Sequence, residues 1–128
     1  MMATCCVTLF GMEREAHAGR LDRRVDRFFE AGLEHEIREL LGRGVPRTAS
    51  AFRAIGYREV LEALDRGEPA DSAELRERVR RNTRRYARRQ RTWFRGEPGV
   101  SWLDASRPPR SLAEEIARLW VGRDSIRG

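Results

Sequence analysis

Apolar residues follow two rhythms along this chain. Near the start, Cys6, Val7, Thr8, Leu9 and Phe10 form an almost unbroken run, which reads as a buried strand. Beyond it the spacing becomes three and four. Leu21, Val25, Phe28 and Phe29 make one stripe and predict a helix over residues 13–31, with Gly32 placed to close it. Ile37, Leu40 and Leu41 predict a second helix over 34–43, stopped by Gly44. Residues 44–50, carrying Pro46, read as a loop. Ile55, Val60, Leu61 and Leu64 predict a third helix over 53–65, ending at Gly67. Asp71 with Glu74 three positions on resembles a capping box, opening a fourth helix that runs to Arg95 and closes at Gly96. Its stripe is Leu75, Val79, Tyr86 and Trp93, with Thr83 and Gln90 completing the row. Pro98 and Gly99 mark a turn, residues 100–103 a second short strand, and Pro108 and Pro109 a break. A last helix is expected over 111–121, capped by Ser111 and Glu114, with Leu112, Ile116, Leu119 and Trp120 facing inward.

The pattern is mainly α, five helices and two strands, and the chain of 128 residues has the length of one domain, 1–128. Two short strands around a set of helices cannot make a stable sheet unaided. They read as neighbours in a parallel pair, about 6–10 beside 100–103. In that reading they are edge members of a larger sheet, one face left incompletely covered.

Charge sharpens the picture. The net charge is +6, and all 26 basic residues are Arg. Ten of them fall between Arg76 and Arg95, against a single acid, Glu77. A solvated helix mixes both signs as i, i+4 partners, and Glu77 alone does not supply them. The alternative is a phosphate-tracking rail. Arg80, Arg84, Arg88 and Arg91 would lie along one surface of it, and Arg81, Arg85 and Arg89 along a neighbouring one. Trp93 continues the apolar stripe and is expected in the core; stacking of Trp93 and Phe94 on bases is the alternative. Gly56 interrupts the third helical pattern, with Arg53, Tyr57 and Arg58 around it. Close approach of another backbone and a helix start both account for it.

No catalytic constellation is visible. The sequence holds neither G-x-x-x-x-G-K-[ST] nor G-x-G-x-x-G. His17 and His35 are isolated from other metal-ligand residues. Cys5 and Cys6, adjacent and the only cysteines, support no disulfide framework, so a reducing cytoplasm is expected. The apolar run over 3–10 is too short to span a bilayer and lacks a basic leader, so no membrane association is expected.

Three stretches taken together resemble a known family. They are "RLDRRVDRFFEAGLEHEIRELLGRG", "RAIGYREVLEALDRGE" and "NTRRYARRQRTWFRGEPGVSWLDA". In this order and spacing they are similar to the C-terminal part of the tRNA dimethylallyltransferases, also called tRNA isopentenyltransferases, over about residues 7–105. The resemblance implies a P-loop-type α/β enzyme using Mg²⁺. Such an enzyme transfers a dimethylallyl group from dimethylallyl diphosphate to N6 of the adenosine 3′ of the tRNA anticodon. It implies contacts to the anticodon arm from Arg53, Ala54, Ile55, Gly56, Tyr57 and Arg58. A second set is implied at Arg88, Arg89, Gln90, Arg91, Thr92, Trp93, Phe94 and Arg95, which Arg84 on the same rail joins. Arg20 and Arg24 match the arginine-bearing helix beside the reaction channel, with Arg24 toward the donor diphosphate. Arg88 stands where the family usually has Lys, and the loop before Arg53 is slightly short. The P-loop and catalytic Asp region have no counterpart in this sequence, so the chain alone is expected to hold tRNA without catalysing, and to hold no cofactor itself. A separate P-loop chain is one partner this implies. A stand-alone helical RNA-binding module and a degenerate fragment are the other readings.

Overall fold

A glycine decides the first turn of the helical part. In the computed structural model, which describes residues 7–9 and 14–124, α1 (Arg14–Glu30) ends just before Gly32, whose φ is +90°. Its N–H donates to the carbonyl of Phe29 at 3.0 Å, and its own carbonyl accepts from the N–H of Glu36 at 3.0 Å. One left-handed residue thus closes α1 and opens α2 (Leu33–Gly42), a conformation that a Cβ disfavours. A one-turn 3-10 helix follows at Ser50–Arg53, then α3 (Tyr57–Asp65) and α4 (Ala73–Gly96).

Contacts gather into two compact units. The first is Glu15–Ala87. Its core is Val25 and Phe29 of α1, Leu33 and Ile37 of α2, Phe52 of the 3-10 turn, Val60, Leu61 and Ala63 of α3, Ala70, and Leu75 and Val79 of α4. Each large apolar side chain buried there contributes about 1.5–3 kcal/mol. Ile55, Leu40, Leu41 and Leu64 pack against this cluster, partly buried. The periodicity therefore placed most of the core of this unit correctly, with exceptions at Phe28 on α1 and Tyr86 on α4. Phe28 is 41% exposed, and the guanidinium of Arg24 lies 5.5 Å from its ring centre.

Three boundaries differ from the sequence expectation. The third helix begins at Tyr57, not at residue 53, because Gly56 has φ +95° and ψ −59°. Gly56 is a helix start, which decides between the two readings of that glycine. The cap of α4 is Ser72, whose Oγ accepts from the N–H of Leu75 at 3.1 Å. Asp71 instead grips Arg76, with Nη2 to Oδ2 at 2.8 Å. The last helix, α5 (Pro109–Asp124), starts two residues earlier than Ser111. Proline suits that first position, where its missing N–H costs nothing, and Ser111 Oγ accepts instead from Arg107 at 2.7 Å.

The second unit comprises the described residues of Met1–Arg14 with those of Arg88–Gly128. Here β1 (Val7–Leu9) and β2 (Ser101–Leu103) pair in parallel, with Val7 opposite Ser101, Thr8 opposite Trp102 and Leu9 opposite Leu103. The mainly α class with a short parallel pair holds, although each strand is three residues long. Cys5, Cys6, Phe10 and Glu13 lie outside the described residues. Asp104 Oδ1 accepts from the N–H of Ser106 at 2.9 Å and from its hydroxyl at 2.7 Å, turning the chain after β2. Leu103 and Leu112 are buried. Trp120, expected to face inward, is 61% exposed on α5, so the inward face of that helix is set by Leu112, with Ile116 and Leu119 half-buried.

Candidate nucleic-acid interface

The basic helix is not uniformly one-signed once α1 is packed beside it. Asp26 of α1 pairs with Arg80 and lies 3.8 Å from Arg76. Asp22, one turn earlier, lies 3.1 Å from Nε of Arg84, an ion pair without hydrogen-bond alignment. Glu77 joins Arg80 at 3.3 Å and Arg84 at 2.8 Å. Arg76 also covers the ring of Phe29 at 5.0 Å. The acids that the helix lacks in its own sequence are thus supplied by a neighbour for Arg76, Arg80 and Arg84. Hydrogen bonding from Arg76 holds the Asp71 carboxyl below the usual carboxylate range. Among the described residues no ion pair is seen at Arg81, Arg85, Arg88, Arg89 or Arg95.

The stretch 53–58 belongs to the first unit. Phe52 anchors it in the core, and Arg53 and Ala54 are exposed. Ile55 is half-buried and Gly56 buried. The hydroxyl of Tyr57 donates to Glu36 of α2. That bond pushes the Tyr57 hydroxyl up to about 12, burial and the Glu36 charge acting in the same sense. Arg58 reaches the side chain of Glu59 at 3.0 Å while its own side chain stays 48% exposed.

Glu59 is the residue that sequence reasoning missed. It is 1% exposed. Its Oε2 accepts from the N–H of Gly56 at 2.7 Å, and its Oε1 accepts from Asn82 Nδ2 at 2.8 Å and from Arg58. Its backbone carbonyl accepts from Arg78 at 3.4 Å. Burial pushes the carboxyl up, yet the bonds from Asn82, Gly56 and Arg58 outweigh it and leave it below its ordinary value. Two signals were legible: Gly56 to Glu59 has capping-box spacing, and Asn82 is the only Asn in the chain, set among arginines.

The stretch 88–95 belongs to the second unit. Arg88, Arg89 and Arg95 are exposed, and Gln90 and Arg91 are half-buried. Thr92 is exposed, and its hydroxyl donates back to the Arg88 carbonyl at 3.1 Å. Trp93 is 60% exposed. Its expected place in the core is therefore overturned, because the apolar core that covers Leu75 and Val79 does not extend that far along the helix. Tyr86, on the same stripe, is 50% exposed for the same reason. Trp93 and Phe94 meet edge to face, ring centres 4.8 Å apart at 80°, a favoured aromatic arrangement. On α1, Arg20 is exposed and Arg24 is held over Phe28.

A helical scaffold with this order of elements, and with its exposed arginines and aromatics on α4, is matched by the family model of the IPP transferases over residues 2–97. The chain belongs to the IPP transferase family. The resemblance drawn from the three stretches is borne out. A tRNA dimethylallyltransferase of Mycobacterium tuberculosis is 47% identical over 106 residues, spanning 79% of this chain and 34% of its own length. One from Mycolicibacterium gilvum is 46% identical over 104 residues, spanning 81% and 32%. The crystal structure of the tRNA isopentenylpyrophosphate transferase from Bacillus halodurans matches with a TM-score of 0.78 and 36% identity, covering 91% of this chain and 38% of that one. That from Staphylococcus epidermidis matches with a TM-score of 0.73 and 30% identity. The chain thus spans about a third of the length of the relatives it matches.

Among the described residues no group of three or more His, Cys, Asp or Glu side chains is placed to hold a metal ion. Among the same residues no helix is long and apolar enough to cross a membrane.

Proposed function

We propose that this chain provides the tRNA-facing helices of a tRNA dimethylallyltransferase. The complete enzyme transfers a dimethylallyl group from dimethylallyl diphosphate to N6 of the adenosine 3′ of the anticodon, in the cytoplasm. The observation that carries the reading is the end of α4. There, Arg88, Arg89 and Arg95 are exposed with no ion pair among the described residues, beside exposed Trp93. Guanidinium groups left without carboxylates take phosphates, and an exposed aromatic face takes a base. Arg53 and Arg58 add cations in the first unit, and Arg20 and Arg24 are assigned to the donor diphosphate. Chemistry needs more than these cations. The adenine N6 must be aligned with the prenyl carbon, and alignment of that kind contributes several kcal/mol. A P-loop-bearing partner, on a separate chain or a longer one, is assigned that task.

The test is binding of an anticodon stem-loop RNA by the purified 128-residue chain over a range of salt concentrations. Affinity that falls steeply with salt, and falls again in Arg88→Ala and Arg89→Ala, supports the reading. A flat salt response, with both variants binding like the parent, defeats it.

A further inference from the structure

Glu59 sits where the loop 53–58, α3 and α4 come together, and the family reading gives it no part. Its carboxylate is almost fully buried yet accepts from three donors. Two of them, the Gly56 N–H at 2.7 Å and the Arg58 guanidinium at 3.0 Å, come from the stretch assigned to tRNA. The third, Asn82 at 2.8 Å, comes from α4. As stabilisation this is a poor use of a side chain, since an apolar residue of the same volume holds a core as well or better. What a carboxylate adds is direction. It fixes a backbone amide, a guanidinium and a neighbouring helix relative to one another through bonds of defined geometry. The bond to Arg58 engages one Nη2, and the side chain of Arg58 remains 48% exposed, so the rest of the fork is open to a phosphate. A surface arginine without such a hold loses rotamer freedom when it binds; a pre-aimed one has already lost it.

We infer that Glu59 is a positioning residue: it tethers Arg58 and the Gly56 turn to Asn82 of α4, so that the Arg58 guanidinium is pre-aimed at a phosphate of the RNA. The inference rests on the proposed tRNA reading and adds to it a buried residue that touches no ligand.

A double-mutant cycle tests it, with anticodon stem-loop RNA as the probe and affinity as the readout. Glu59→Gln keeps one acceptor oxygen, which serves the Gly56 N–H, and removes the charge that holds Arg58. It turns a donating NH2 toward Arg58 and Asn82, whose amide flips to present its oxygen. In the parent, Arg58→Ala is expected to weaken binding about five- to tenfold, the loss of one phosphate contact. In the Glu59→Gln background the same change is expected to weaken it less than about twofold, because Arg58 is no longer aimed. Equal losses in both backgrounds would show Glu59 to be structural only and overturn the inference. Arg58→Lys covers the case in which Glu59→Gln does not fold. It keeps the charge but not the fork, and it should bind nearly as weakly as Arg58→Ala; parent-like binding overturns the inference. If Arg58→Ala is silent in the parent while Arg88→Ala is not, the inference fails and the tRNA reading stands. If neither matters, the tRNA reading fails and takes the inference with it.

Discussion

Trp93 carries the clearest consequence at the scale of single residues. Being 60% exposed, it cannot be worth the several kcal/mol of a buried aromatic. Trp93→Ala is expected to leave thermal stability close to the parent's while RNA affinity drops by ~1–3 kcal/mol at every salt concentration; melting curves and binding isotherms separate the two. Gly56 is the opposite kind of residue. A Cβ there would meet Leu33 Cδ2 at 3.6 Å, an ordinary contact, so space is not the obstacle. The obstacle is φ +95°, and Gly56→Ala should cost roughly 1–3 kcal/mol in chemical denaturation. Glu59 makes stability depend on pH. Its folded-state value lies below the ordinary 4.5, so its contribution is complete above that value and is lost as pH falls through the lowered one. Denaturation midpoints measured from neutral pH downward should show this loss, and Glu59→Gln should flatten it.

At the scale of elements, α4 changes character along its length. Arg76, Arg80 and Arg84 are held by Asp71, Asp22, Asp26 and Glu77, whereas Arg81, Arg85, Arg88, Arg89 and Arg95 show no ion pair among the described residues. With about five phosphates engaged, log K against log salt should fall with a slope of roughly −3.5 to −4.5. Arg88→Ala should shallow that slope by a little under one unit. Arg84→Ala should shallow it less. Its effect belongs instead to the α1–α4 contact, where part-exposed ion pairs contribute only about 0.2–1 kcal/mol each. Salt titrations of the two variants side by side distinguish these roles.

At the scale of the molecule, the 128-residue chain supplied with tRNA and dimethylallyl diphosphate is expected to form no modified adenosine, read by mass spectrometry of digested RNA. The reason is alignment rather than affinity, since capture of anions by arginines would not by itself bring N6 to the prenyl carbon. Addition of the remaining two thirds of a relative as a separate chain should restore the product. Product formed by the chain alone would overturn this.

Much of this was written in the order of residues. Apolar spacing located α1 to α5, and Gly32 marked the end of α1, because periodicity and glycine backbone freedom act over a few neighbours and need no tertiary partner. The expected pairing of about 6–10 with 100–103 rested on the places such strands take in a parallel sheet, and it is seen between 7–9 and 101–103. Three motifs in register carried the family. What the tertiary structure alone decided is which stripe is covered and which charge is answered. Leu75 and Val79 are buried, and Tyr86 and Trp93 on the same stripe are not, since a helix can extend beyond the core it packs on. Asp22 and Asp26 neutralise arginines 62 and 54 residues away in sequence, Arg84 with Asp22 and Arg80 with Asp26. Glu59 reads as one more surface acid until Asn82 is brought to it from 23 positions along the chain. Burial and pairing are properties of neighbours in space, and the chain's own order names only neighbours in sequence.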